Sequence, residues 1–336
     1  MALGEYLQDL NEDLDISVAA LDYMPLGNEA TIRDELAERF GSVQLVRQRY
    51  ELRPTLHAAH AVLWYGVTQA IPNALTALGP ERPASIRVVH TDRYVDGPAF
   101  ARRWQRVIDA TVCVTPTISR RIPGAVFIPN PLPRRGLEGP AGSFFDGGPG
   151  SQRPTLGFLG RLIPLKNAEW LVQNVASIGC NLLLQALDTE LQTTTDLERL
   201  AETLGVRDRI HFLPPGRDVG TLLRSIDALA VVSEREGFPR VVIEAGSLGV
   251  PVIATRVGAL PETFANEILF IDSENGIPVA ESLQDALTRL DANLGERLRQ
   301  RVLELCDGPE VASRYAAVCR DAIVQAEETK DALSKE

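Results

Sequence analysis

Short runs of β-branched and aliphatic residues alternate with longer segments of helical period along this chain, and the alternation runs twice. Parallel sheets covered by helices satisfy such a pattern, because each new parallel strand needs a return crossover. In the first half, strands are expected at 16–21, 43–46, 61–67, 86–90, 111–115 and 125–129, with helices at 31–40 and 99–108 among the segments between them. Residues 136–153, GLEGPAGSFFDGGPGSQR, break both periods and read as a linker or mobile loop. The second half restarts the pattern, with strands at 155–159, 181–185, 209–213, 228–232, 252–255 and 268–271. Its helices are expected at 168–177, 190–204, 241–248 and 283–305. The division is therefore a lobe at 1–135, a linker at 136–153 and a second lobe at 154–305. A terminal helix within 306–330 either completes the second lobe or crosses back to the first. With 336 residues, each lobe is large enough to bury its own core.

Charge narrows the partners. Thirty-four basic against forty-five acidic residues leave a net charge of −11, a surface that repels nucleic-acid backbones but not a small anion held by a local cluster of donors. No apolar run approaches the ~20 residues of a membrane-spanning helix, and the N-terminus lacks the basic start of a secretory signal. Cys113, Cys180, Cys306 and Cys319 are widely spaced and read as reduced, mostly buried thiols of a cytoplasmic protein. His57 and His60 form a His-x-x-His without other ligand types nearby, which reads as a histidine pair in a helical connection rather than a metal site. Three lysines stand against thirty-one arginines, and Lys166 is the only one outside the C-terminal tail.

Ligands of open parallel sheets bind beyond the carboxyl ends of the strands. Two stretches of the second lobe carry suitable groups there. In the first, the strand ending Gly160-Arg161 leads through Lys166 and Asn167 into a helix. Gly160 allows a tight turn or close approach, Arg161 offers a planar fork of donors, Lys166 a point charge, and Asn167 can cap the helix. Two cations beside a helix N-terminus suit a diphosphate, although solvated basic side chains on a loop would look the same. In the second, Glu236-Gly237-Phe238-Pro239 opens a helix that carries Glu244 about a turn and a half in. Two carboxylates so spaced can reach different hydroxyls of one extended ligand, and amides around Gly237 and Phe238 can face an anion. The ordinary alternatives are a helix-dipole partner for Glu236 and a surface carboxylate for Glu244.

Together these residues resemble the retaining GT-B glycosyltransferases of family 4. The resemblance rests on Gly160-Arg161 with Lys166, Glu236-Gly237-Phe238-Pro239 with Glu244-Ala245, and Gly249-Val250-Pro251-Val252-Ile253-Ala254. Ile128-Pro129-Asn130-Pro131 is similar to the family's inter-lobe segment, and Val257-Gly258-Ala259-Leu260-Pro261-Glu262 to the stretch after its donor helix. The resemblance implies an α/β chain with two doubly wound, Rossmann-like lobes facing across a cleft. It implies that Arg161 and Lys166 bind the diphosphate of a nucleotide-sugar. Glu236 would contact the transferred sugar, Gly160 and the backbone of Gly237, Phe238 and Pro239 would support sugar and phosphate, and Glu244 would hold the ribose. The loop after Leu213 would border the base, and His90 matches a first-lobe histidine near the donor sugar. No cofactor and no metal are implied. Asp13-Leu14-Asp15 spells Asp-x-Asp but reads as coincidence at a helix end.

Two departures stand out. The family's first lobe opens with a strand, a glycine-pair loop and a helix, whereas Leu3, Tyr6, Leu7, Leu10 and Leu14 fall at helical spacing. Residues 15–23 then read as the family's second strand, leaving the first strand and glycine loop missing. A competing register makes 16–21 the first strand and 25–28 the loop. The second departure is Leu184-Gln185-Ala186-Leu187-Asp188-Thr189, where the family has a glycine-rich turn near the nucleotide.

The expected function is retaining transfer of a sugar from a nucleotide-sugar to a sugar, lipid-linked or small-molecule acceptor. The competing expectation is an impaired GT-B protein that binds a nucleotide-sugar or a partner; a sugar-nucleotide epimerase fits the paired motifs less well. The acceptor, the donor base and sugar, the oligomeric state and any peripheral membrane contact stay open at this level.

Overall fold

A computed structural model describes residues 18–21, 43–46, 52–65, 70–90, 104–134, 136–145, 153–214 and 219–334, together with Leu3 and Leu7. The expected helix at 31–40, the loop at 25–28 and Asp13-Leu14-Asp15 lie outside these residues. The chain divides into two compact units, Met1–Pro131 with Gly308–Glu336, and Leu132–Asp307.

In the first unit β1 (Val18–Leu21) pairs in parallel with β2 (Val43–Val46), Val18 opposite Val43. There follow α1 (Leu52–His57), β3 (Ala61–Tyr65), α2 (Ala70–Leu78), β4 (Ala84–Val89), β5 (Ala110–Cys113), α3 (Pro116–Arg121) and β6 (Val126–Phe127). Strands β3 to β6 form a parallel sheet in sequence order. The sheet's lower edge is tied by Asp109. It accepts two hydrogen bonds from the Arg82 guanidinium, at 2.6 and 2.8 Å, and one from the Ser85 amide at 2.7 Å. Leu3 and Leu7 are helical and buried, in keeping with their spacing. The loop that would separate the two N-terminal registers is outside the described residues.

The second unit runs β7 (Thr155–Arg161), α4 (Ala168–Ile178), β8 (Asn181–Leu187), α5 (Thr194–Thr203), β9 (Ile210–Leu213), α6 (Val219–Arg224), β10 (Ala228–Val231), α7 (Arg240–Ser247) and β11 (Val252–Thr255). It continues with α8 (Leu260–Thr263), β12 (Leu269–Ile271), the hairpin β13 (Ser273–Glu274) and β14 (Ile277–Pro278), α9 (Ala280–Thr288) and α10 (Ala292–Leu305). Six parallel strands lie in the order β12-β11-β10-β7-β8-β9. Leu156 and Phe158, Leu182, Leu184 and Ala186, and Ala228, Ala230 and Val232 alternate along three neighbouring strands. They form one core with Ala168, Leu171, Val172 and Val175 of α4.

Two helices differ from their sequence expectation. The helix expected at 283–305 is broken, because Asp291 accepts a hydrogen bond from the Asn293 amide at 2.6 Å and starts α10 afresh. The helix expected from 190 starts at Thr194, where Thr193 and Asp196 close a reciprocal capping box. The described part of the 136–153 stretch is anchored rather than free. Arg224 donates to the Leu137 carbonyl at 2.5 Å, the Gly142 amide donates to Ser225 Oγ at 2.7 Å, and Phe144 packs on His211. Last, α11 (Gly308–Ser334) belongs to the first unit, where it packs on β3 and β4 and Arg314 donates to the Phe127 carbonyl.

Candidate functional site in the second unit

The strand order changes direction between β7 and β10, since β7-β8-β9 extends one way and β10-β11-β12 the other. Loops leaving two such strands diverge and leave a crevice at their carboxyl ends. The two motifs singled out by sequence are the loops at this point, β7 to α4 and β10 to α7.

After β7 the chain makes a short 3-10 turn at Pro164–Lys166, closed by the Lys166 amide on the Ile163 carbonyl at 2.9 Å. Asn167 then adopts the left-handed conformation, with φ 53°. Contrary to the expectation from sequence, its side chain does not cap α4. Instead Nδ2 donates to the Val232 carbonyl at 2.8 Å and the Gly276 carbonyl at 3.0 Å, pinning the β7 loop to the end of β10 and to the β13–β14 hairpin. The Glu234 amide adds a bond to the Leu165 carbonyl at 2.8 Å.

These ties bring together two residues seventy positions apart. The Lys166 ammonium donates to Glu236 Oε1, and Ser233 Oγ donates to the same oxygen at 2.7 Å. Ser233 is itself set by Thr255 of β11, whose hydroxyl donates to the Ser233 carbonyl at 2.6 Å. Sequence reasoning missed Ser233 and Thr255. Their signal is slight, small hydroxyl residues at two strand ends.

The other site residues follow from α7. Phe238 is buried and meets Phe264 edge to face, with centroids 5.9 Å apart. Pro239 stands at the N-cap and has no amide hydrogen to offer, so the expected amide support at Gly237, Phe238 and Pro239 shrinks to Gly237 and Phe238. Glu244 lies just over one turn into α7, which starts at Arg240, one residue before the expected 241. It is not a surface carboxylate, its side chain being only 13% exposed. Burial raises its pKa, partly offset by Arg240, whose guanidinium is 3.9 Å from Oε1. Arg161 ends β7 as an exposed side chain. Gly160 makes no turn; it sits in the β7 ladder opposite Ala186, with only Phe158 near the place of a Cβ. His90 follows β4 in the first unit, where burial lowers its pKa. Among the described residues no three His, Cys, Asp or Glu side chains are grouped to hold a metal ion.

Residues 143–301, which contain the β7 and β10 loops and α7, match the family described as Glycosyl transferases group 1. The second unit thus resembles the glycosyl transferases of group 1. D-inositol 3-phosphate glycosyltransferase of Actinosynnema mirum is 34% identical over 175 residues, covering 44% of this chain and 40% of the relative. The protein of that name from Mycolicibacterium smegmatis is 29% identical over 265 residues, covering 74% of this chain and 58% of the relative. The chain thus spans less than two thirds of either. Two solved structures share the fold. A glycosyltransferase from Rickettsia africae superposes with a TM-score of 0.72 at 14% identity, covering 96% of this chain and 93% of that one. Anabaena HepE in complex with UDP superposes with a TM-score of 0.71 at 16% identity, covering 91% and 100%. The fold class is α/β of the GT-B type. The matched stretch begins ahead of β7, taking in Ser143–Phe145 beside β9 as well as the sheet. No helix among the described residues is long and apolar enough to cross a membrane.

Proposed function

We propose that this chain is a retaining glycosyltransferase that takes a sugar from a nucleotide-sugar and passes it to a hydroxyl acceptor. The observation that carries the reading is the junction of Lys166 and Glu236 at the switch point of the sheet, beside Arg161 and the start of α7. In this reading Lys166 and Arg161 hold the diphosphate. Their charge stabilises the leaving group as the bond from anomeric carbon to phosphate breaks, the term that dominates when the developing charge is on phosphate. Glu236, held at one oxygen by Lys166 and Ser233, presents its other oxygen to hydroxyls of the transferred sugar. Glu244 takes the ribose hydroxyls. The departing phosphate accepts the acceptor's proton, so no side-chain nucleophile is required. His90 is proposed to approach the donor sugar from the first unit. Cationic side chains neutralise the diphosphate, so we propose no resident cofactor.

The curated relatives are named D-inositol 3-phosphate glycosyltransferase. For this chain we propose a hydroxyl acceptor without assigning its class. The test is calorimetric titration of UDP, GDP and ADP into the chain, with Lys166→Ala and Arg161→Ala as comparisons. Loss of one charge-assisted contact should cost ~1.5–3 kcal/mol, or about 10- to 150-fold in affinity. Equal affinity in wild type and both variants would overturn the phosphate site. Nucleotide binding without transfer from any nucleotide-sugar would favour the impaired protein instead.

A further inference from the structure

Gln185 is an amide in a strand built otherwise for an apolar interior. It sits in β8 opposite Leu159 of β7 and Leu213 of β9, and it is 6% exposed. Its neighbours in sequence, Leu184 and Ala186, point into the core beneath α4. Gln185 therefore points to the other face, at the carboxyl end of the sheet. Its Nε2 donates to the carbonyl of Pro214, the residue after β9, at 3.1 Å. Its Oε1 is buried and accepts no hydrogen bond. The amide cannot be reversed to relieve this, because Oε1 would then face the Pro214 carbonyl, oxygen against oxygen. Natural interiors rarely leave such an acceptor unmade, and exceptions mark a strained or functional position or an unseen partner.

Position says what that partner could be. In the β7–β8 register, Gln185 lies two residues before Leu187, the partner of Arg161. By strand spacing its backbone is roughly 8 Å from that of Arg161. A nucleotide whose diphosphate rests on Arg161 and Lys166 has its nucleoside within reach of this strand end. We infer that Gln185 is a specificity-determining residue of the donor site, its side-chain carbonyl accepting a hydrogen bond from an N–H on the edge of the nucleobase. The inference rests on the donor-site reading above. Uracil offers N3–H, guanine N1–H and adenine its 6-amino group; ribose and phosphate have no N–H to offer. The same amide holds Pro214, so the acceptor is oriented before the ligand arrives.

The test titrates UDP, GDP, ADP and ribose 5-diphosphate into the full chain, as wild type, Gln185→Leu and Gln185→Met. The two variants keep similar volume in the strand, and their melting profiles establish that they fold. Wild type is expected to bind one of the three nucleotides at least about 10-fold more tightly than ribose 5-diphosphate. Both variants should lose about 10- to 100-fold for that nucleotide and less than about threefold for ribose 5-diphosphate. Fully methylating the donating nitrogen of the preferred base (one methyl on uracil N3 or guanine N1, two on the adenine 6-amino group) should weaken wild type by a similar factor. It should cost Gln185→Leu less than about threefold, a readout that a mere change in the Pro214 loop would not produce. An undiminished base preference in the folded variants would overturn the inference, as would an equal loss for the base-free ligand. Lys166→Ala separates the two levels. If it leaves all four affinities unchanged, the donor-site reading falls and takes this inference with it. If it weakens all four while Gln185→Leu keeps the base preference, only the role of Gln185 falls.

Discussion

Glu244 shows what a buried carboxylate costs at the scale of one side chain. Burial raises its pKa, so the folded chain holds that proton more tightly than the unfolded one does. The sign follows from linkage. The stabilising contribution of its protonated form is fully present below the ordinary glutamate range and is lost as pH rises through the raised folded value. At neutral pH the ionised carboxylate is thus a net burden on the lobe, relieved in part by Arg240. That arginine is itself placed unfavourably at the positive end of α7. Glu244→Gln should therefore melt a few degrees higher than wild type at pH 7.5. The gap should narrow towards pH 4, where wild type takes up its proton. The same variant should bind UDP more weakly at neutral pH, as wild type should when pH falls through the Glu244 titration. Scanning calorimetry across that pH range, with UDP titration at each end, checks both. A variant that melts lower at pH 7.5 would contradict the argument.

At the scale of elements, the central strands and the two chemical loops were legible because periodicity and local chemistry agree there. β2 and β11 match their expected bounds residue for residue, and Lys166, Glu236 and Glu244 all lie on the loop or helix where their motifs put them. What stayed hidden depends on contacts distant in sequence. Nothing near Asn167 reveals that its amide reaches residues 65 and 109 positions away, and local capping preference pointed it at its own helix. The break at 289–291 was hidden by apolar residues that keep helical spacing through it. Gly258 is a second such case. Its φ of +56° and its close approach let residues 257–259 lie on the donor loop, where the Ala259 amide donates to the Gly237 carbonyl at 2.8 Å. A Cβ at Gly258 would come within 2.1 Å of the Gly237 carbonyl oxygen and 2.7 Å of that of Glu236, backbone atoms that cannot swing away. Gly258→Ala should then destabilise the lobe by ~1–3 kcal/mol and shift Glu236 off Lys166. The expected outcome is a lower melting temperature together with lost transfer from a nucleotide-sugar, beyond any change in nucleotide affinity. Unchanged stability would mean the loop has room that its geometry denies.

The chain crosses between its two units twice, and the second crossing governs how damage is distributed over the molecule. α11 follows the second unit in sequence but belongs to the first, where it packs on β3 and β4; Val311, Ala312, Tyr315 and Ala316 of its opening turns are buried. Tyr315 is 2% exposed, and the adjacent Arg314 secures the end of β6. Tyr315→Ala removes the largest of these four buried side chains and leaves a cavity that backbone relaxation fills only in part. The expected loss is ~3–5 kcal/mol, comparable to the whole stability of a marginal domain. The proposed donor residues Arg161, Lys166, Glu236 and Glu244 all belong to the other unit, together with the ties that orient them. Hydrogen exchange in Tyr315→Ala should therefore accelerate across β3 to β6 while β7, β8 and β10 keep their protection. UDP affinity should stay within about twofold of wild type at temperatures where the second unit is folded, because sites without shared partners respond independently. Equal loss of protection in both sheets would show that the units fold as one cooperative body, and the stability of the donor site would then depend on the last helix of the chain.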